Sequence, residues 1–355
     1  MDIINHRSGL TRFRDAINNR DSVRIGYIGG SITQEAAKIN WPEYVNAWIK
    51  KKAGNKIVYA ENIGIGGTGS DIGIFRFEKE LSDKDCDLIF VEFAVNDGDI
   101  EQTLRARSRE GLVRKILKST QADVVFVYTY RQEMLGDMIE GRVPQLIAEY
   151  EEVAEHYNIG SVWMAKAAFE KMSDGFMGFE KFLGDGLHPN QLGSYIYAGA
   201  VIEYLDRELK LTSASLKRSI EPINKNNWEN AKVIPFEELE TDGAWYVRSL
   251  YNYDFRHTLY TSSLTSSVKI KCRCKTLVIC RLYGKDCAMM KYRIDGGEWL
   301  SIQRDVVNWM GGANWPYQNV LIDEETEAEH TVEIMPQKAM RECGSSIYIA
   351  YVGVV

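Results

Sequence analysis

Val23-Arg24-Ile25-Gly26-Tyr27-Ile28-Gly29-Gly30-Ser31-Ile32-Thr33-Gln34-Glu35 passes from an apolar, β-branched run through two glycines into a serine and then a helix-like stretch. An apolar run of this length reads as a buried strand, and the glycines let the backbone bend sharply at its end. The layout predicts Ser31 at a strand-to-helix turn. Unpaired N–H groups at a helix N-terminus favour developing negative charge, so a hydroxyl held there could act as a nucleophile. Serine is equally a common N-cap, and the local pattern leaves both readings open.

Outward from this turn, short apolar runs alternate with helical patterns from Val23 to about Leu209, as in a parallel sheet covered on both faces. Five strands are predicted, near Val23 to Ile28, Lys56 to Ala60, Asp87 to Phe93, Ala122 to Tyr128 and Gly160 to Trp163. Helices are predicted over Pro42 to Ala53, near Thr103 to Lys118, near Leu146 to His156 and over Pro189 to Leu209, two of them opening on proline. Thr212-Ser213-Ala214-Ser215 and the polar run through Asn224-Lys225-Asn226-Asn227 read as a linker. The expected organisation is a catalytic domain over 1–211, a linker over 212–230 and a second domain over 231–355. Strand candidates at Ser267 to Cys272, Leu277 to Leu282, Met289 to Ile294 and Ser346 to Val355 make the second domain all-β. With Asp295-Gly296-Gly297 as a hairpin turn, they suit a sandwich or jelly roll.

Composition narrows the function. The chain has 355 residues, 45% of them hydrophobic, and a formal charge of -7, which argues against a phosphate-backbone partner; Lys50-Lys51-Lys52 reads as a solvated helix end. No run approaches the roughly 20 apolar residues that span a bilayer, so no membrane partner is expected. Met1 to His6 lacks the basic start and apolar block of a signal peptide, which gives a cytoplasmic expectation. The 6 cysteines form no C-x-x-C pair, and Cys272 and Cys274 are poorly placed to bridge each other. They read as reduced and structural. None of the 5 histidines stands in an H-E-x-x-H spacing, so no metal site is expected.

In an open parallel sheet, ligands gather beyond the carboxyl ends of the strands. Three such ends carry unusual turns: Gly30-Ser31, then Asn62-Ile63-Gly64-Ile65-Gly66-Gly67-Thr68-Gly69, then Ala94-Val95-Asn96-Asp97-Gly98. A fourth piece, Asp185-Gly186-Leu187-His188-Pro189, precedes the last helix. Together they could form one acyl-transfer site, which needs a nucleophile, a base, a group that orients the base, and donors for an oxyanion. Ser31 would attack, His188 would take its proton, and Asp185 would hold the imidazole. The N–H of Ser31, the N–H of a glycine in the second turn and the Asn96 amide would be the donors.

Read in order, these pieces resemble the four blocks of the SGNH (GDSL) hydrolase family over roughly residues 20 to 210. Gly30-Ser31 is similar to the first block, with glycine where many members have aspartate. Asn62 to Ser70 is similar to the second, whose oxyanion glycine falls on Gly67, with Gly66 as the neighbouring alternative. Ala94-Val95-Asn96-Asp97 is similar to the third, with Ala94 in the place of a usual glycine, and Asp185-x-x-His188 matches the last. The resemblance implies a flavodoxin-like three-layer α/β/α domain with a five-stranded parallel sheet of order 2-1-3-4-5. It implies an acyl-serine mechanism that needs no cofactor. The Gly-Gly-Ser-Ile-Thr opening with an appended β-sandwich resembles the microbial carbohydrate acetylesterases. That points to removal of acetyl groups from oligosaccharides, with a short-chain esterase, thioesterase or lysophospholipase as the alternative.

Competing readings are open for several residues. Gly64 to Gly69 imitates a dinucleotide fingerprint, but it follows the second strand and lacks an acidic residue at the end of the next one. Asn96 could cap a turn, and Asp97 reads as a turn or cap residue supporting it. His156 reads as a solvated helix position. Arg131, after the fourth strand, could line a pocket or form a surface ion pair. Trp41, Trp48 and Trp163 read as core. Trp309, Trp315 and Tyr317, near Gly311 and Gly312, read as a loop whose rings stack on sugar or fill a core. A non-enzyme reading, a silent glycan-binding protein on a hydrolase fold, is opposed by the presence of Ser31, Asp185 and His188.

Overall fold

The computed structural model describes residues 1–34, 40–175, 178, 181–211, 221–249, 255–302, 314–338 and 344–355. Glu35, Thr212 to Ser215, Trp309, Gly311 and Gly312, named above, lie outside the described residues. The chain divides into two compact units, Met1–Glu229 and Asn230–Val355.

In the first unit the strands are β1 (Ile4–Asn5), β2 (Ser22–Gly29), β3 (Ile57–Asn62), β4 (Leu88–Glu92), β5 (Asp123–Val127) and β6 (Gly160–Val162). The helices are α1 (Thr11–Asn19), α2 (Trp41–Ala53), α3 (Ser70–Glu80), α4 (Gln102–Ser119), α5 (Leu135–Ile139), α6 (Gln145–His156), α7 (Met164–Ser173) and α8 (Gln191–Lys210). The sheet order is β1-β6-β5-β4-β2-β3. The five predicted strands are parallel and in the implied order, while β1 adds a short antiparallel edge against β6. Every residue of β4 and β5 is buried, because helices cover both faces. Helices α1, α2, α7 and α8 pack in one layer, and α3, α4 and α6 in the other.

The opening turn is described only as far as Gln34, and the helix-like stretch expected after it runs into residues 35–39, outside the described residues. Thr33 and Gln34 donate their N–H groups to the Gly30 carbonyl, at 3.1 and 3.0 Å, closing a single turn. The next described helix starts only at Trp41, so Ser31 caps no described helix.

Residues 221–229, expected as linker, lie with the first unit. Buried Glu110 on α4 accepts the N–H groups of Ile223 and Asn224 at 2.6 and 2.8 Å. Trp228 is buried, donates its N–H to the Arg107 carbonyl at 3.1 Å, and lies 5.9 Å from the Phe75 ring. Its backbone comes so close to α4 that a Cβ on Gly111 would meet it at 2.7 Å, which accounts for a glycine inside that helix.

The second unit is all-β, with β7 (Lys232–Ile234), β8 (Glu240–Asp242), β9 (Tyr246–Ser249), β10 (His257–Thr261), β11 (Ser267–Tyr283), β12 (Met289–Ile294), β13 (Leu300–Ile302), β14 (Trp315–Gln337) and β15 (Ile347–Val354). The long strands β11 and β14 pair with register shifts near Cys274 and Leu277. Such bulges let a long strand bend and serve both layers of a sandwich. Val268, Ile270, Ile279, Ile334, Ile349 and Val352 are among its core residues. Asp295 and Gly296, with φ of 51° and 71°, form the predicted turn between β12 and β13. Trp315 and Tyr317, read as loop, lie on β14 opposite Tyr283 and Arg281. Of the cysteines, Cys86, Cys272 and Cys274 are free.

Candidate active site

Ser31, Asp185 and His188 come together from opposite ends of the first unit's sequence. Ser31 Oγ lies 2.7 Å from His188 Nε2, and His188 Nδ1 lies 2.7 Å from Asp185 Oδ2. The other Asp185 oxygen accepts the N–H groups of Leu187 and His188 at 3.0 and 2.7 Å, so the carboxylate is fixed by its own turn. Partial burial works to raise the Asp185 pKa, but the His188 ring and these two N–H groups outweigh it and hold the carboxyl at about 2. The group is thus ionised near neutrality and fixes which imidazole nitrogen carries the proton. The histidine and aspartate side chains remain 44% and 58% exposed, so the site is open to a bulky substrate.

The predicted donors flank the same turn. A Cβ on Gly30 would lie 2.1 Å from Asn96 Oδ1, so the Asn96 side chain packs directly on the backbone that precedes Ser31. The second loop is tied to the nucleophile strand by the Ile65 N–H on the Gly29 carbonyl at 3.0 Å. Within it the two glycines differ. Gly66 is buried and its N–H is taken by Gln34 Oε1 at 2.8 Å. Gly67 is exposed, adopts φ of 70°, and among the described residues its N–H has no partner. The geometry therefore favours Gly67 over Gly66 as a donor to an incoming oxyanion.

Several supporting residues had no distinct signal in the sequence. Glu92, at the end of β4, is buried; its backbone carbonyl accepts the Gly30 N–H at 3.2 Å, and its carboxyl accepts Thr33 Oγ1 at 3.0 Å and Thr129 Oγ1 at 2.7 Å. Burial pushes its pKa up to about 7 against those hydroxyl bonds. Asp97, read as a turn residue, does more than shape its turn. Fully buried, it accepts the Ser70 N–H at 2.8 Å, the Ser70 hydroxyl at 2.9 Å and the Tyr150 hydroxyl at 2.7 Å. It thereby ties the start of α3, just after Gly67, to the segment bearing Asn96. Arg131 forms ion pairs with Asp99 and Glu133 and donates to the Val95 carbonyl at 2.9 Å, bracing the residue before Asn96. His156 meets the Glu221 carbonyl at 2.7 Å, so it holds the 221–229 segment and is not simply solvated. Among the described residues no group of three or more His, Cys, Asp or Glu side chains could hold a metal ion, and no helix is long and apolar enough to cross a membrane.

A doubly wound sheet with a hydrogen-bonded serine, histidine and aspartate beyond its strand ends defines a hydrolase-type first unit. Residues 27–196 match the GDSL-like lipase/acylhydrolase family, the first unit is a domain of that family, and the chain is an ester hydrolase. The whole chain is similar in structure to a two-domain esterase (CEX) active on acetylated mannans, solved with mannopentaose, at a TM-score of 0.84 and 22% identity, covering 99% of this chain and 96% of that one. The structure of that esterase described without mannopentaose matches at 0.83, with the same identity and coverage. At this identity the likeness concerns the fold. No curated protein matches the chain.

Proposed function

We propose that the chain removes acetyl groups from carbohydrate esters through an acyl-Ser31 intermediate. The observation that carries the mechanism is the unbroken relay from Asp185 through His188 to Ser31, with both contacts at 2.7 Å. Ser31 Oγ attacks the ester carbonyl while His188 Nε2 takes its proton. Asp185 stabilises the imidazolium that forms, and the Ser31 N–H, the Gly67 N–H and the Asn96 amide stabilise the oxyanion. His188 then protonates the departing sugar oxygen, the carbon–oxygen bond breaks, and the acetyl group remains on Ser31. Water, deprotonated by His188, attacks the acyl carbon; the tetrahedral species collapses to acetate and Ser31 regains its proton.

The carbohydrate reading is supported by the fold shared with an esterase active on acetylated mannans. It is supported also by the exposed histidine and aspartate, which leave room for a bulky alcohol group. The test is direct. Ser31→Ala should reduce hydrolysis of a chromogenic acetate ester to near background, and full retained activity would remove Ser31 from the mechanism. Acetylated manno- or xylo-oligosaccharides should be preferred over long-acyl lipids, and the opposite preference would replace the glycan substrate with a lipid one.

A further inference from the structure

The first turns of α2 and α8 border an open groove of about 670 Å³, lined by Tyr44, Lys181, Asn190, Gln191, Leu192 and Tyr195. Tyr44 and Tyr195 meet edge to face, with ring centroids 5.5 Å apart and planes at 79°. Tyr195 is 60% exposed and Leu192 38%, so adjoining large apolar side chains are left in water. Asn190 stiffens the floor by accepting the Gly193 N–H at 3.0 Å and donating to the Lys181 carbonyl at 2.6 Å.

Each wall is tied to a segment that bears a residue of the proposed relay. Trp41, one turn before Tyr44 on α2, donates its indole N–H to Thr33 Oγ1 at 3.3 Å, two residues beyond Ser31. On the other side, Asn190 and Gln191 follow His188 directly through Pro189. The lining of the groove thus begins two residues after His188 along the chain, and its other wall is the helix whose first residue bonds the loop that carries Ser31. Among the described residues, its lining offers two aromatic rings, a leucine, an exposed amide and one lysine, with no carboxylate. That chemistry suits an uncharged polyol: sugar C–H faces pack on aromatic rings while hydroxyls reach amide groups.

We propose that this groove is a subsite for the unmodified sugar units adjoining the acetylated unit of a glycan substrate. The inference rests on the carbohydrate reading of the same site. In the full-length chain, Tyr195→Ala and Tyr44→Ala should each raise KM for acetylated manno-oligosaccharides of four or more units about tenfold, the size of one lost aromatic contact. Hydrolysis of 4-nitrophenyl acetate, too small to reach the groove, should be unchanged in both, which also reports that they fold. Gln191→Ala, at an exposed position, should raise the same KM several-fold. Unchanged KM for the long substrates in all three variants would overturn the subsite. So would unchanged KM accompanied by a fall in molecular mass on light scattering, which would make the groove a contact between copies of the chain. Wild-type protein that cleaves 4-nitrophenyl acetate but no acetylated oligosaccharide would overturn the carbohydrate reading itself, a result separable from the other two.

Discussion

At the residue scale, the proposed reaction depends on three side chains and on the glycine that makes room for a fourth. Gly30 has no Cβ because Asn96 occupies that space. Gly30→Ala should therefore lower kcat/KM on a small acetate ester by about 10²-fold, close to the effect of Asn96→Ala, because it displaces an oxyanion donor without touching Ser31. Equal kcat/KM in Gly30→Ala and wild type would show that Asn96 is not a donor. Asp185→Asn should lower kcat by about 10²–10⁴-fold by leaving the imidazole in the wrong tautomer. The sign of the Asp185 shift also bears on pH. Its folded pKa is depressed from the usual carboxylate range to about 2, so its paired, ionised form is retained down to that pH and lost only below it. Asp185 should consequently add no protonation step of its own to the pH-rate profile of kcat/KM above that pH. Asp185 and His188 were legible from sequence because both partners lie within one short turn. The sequence pointed to Gly67 but left Gly66 as its alternative, because what separates them is a side chain, Gln34, that folding brings from another loop onto the Gly66 N–H.

At the scale of elements, buried acids hold the loops in place. Glu92 ties the nucleophile turn after β2 to the end of β5, with no cation to offset its charge in the contacts it makes. An unfolded glutamate ionises near 4.5, whereas this one keeps its proton until about pH 7. The folded state thus binds more protons in that window, so stability falls as pH rises through it, by up to about 3 kcal/mol above pH 7. Glu92→Gln keeps the shape and can still bond both threonines, so it should raise Tm over wild type more at pH 8 than at pH 5. An equal change at both pH values would mean that Glu92 is charged throughout. Asp97 was visible as a turn residue, yet its contacts with Ser70 and Tyr150 join elements far apart in sequence. Strand β14 shows the same limit in the second unit. Glu324-Glu325-Thr326-Glu327 has poor strand propensity and is exposed, and β14 pairs with β11 on either side of it. The alternating run of β12 and the continuous apolar run of β15 were read correctly because their own pattern carries the signal.

At the scale of the whole molecule, the two units each have their own core, and the first ends later than its composition suggests. Polarity marked 221–229 as linker, but Trp228 is buried against α4 and the α3 ring of Phe75. Trp228→Ala should destabilise the first unit by about 3–5 kcal/mol, the usual cost of removing a large buried ring. A fragment ending at Glu229 should melt well above one ending at Leu211, measured by circular dichroism. Identical melting temperatures would return 221–229 to the linker. By itself, the sequence determined the class of fold and the four motif positions, because strand periodicity, glycine turns and an Asp-x-x-His spacing are local properties of the chain; the order of the parallel strands came only from the family that those motifs resemble. The tertiary structure alone decided which glycine is exposed, which buried acids brace the loops, where the first unit ends and what groove Tyr44 and Tyr195 line. Each of those depends on distances between residues that are remote in sequence, and only the packed fold sets such distances.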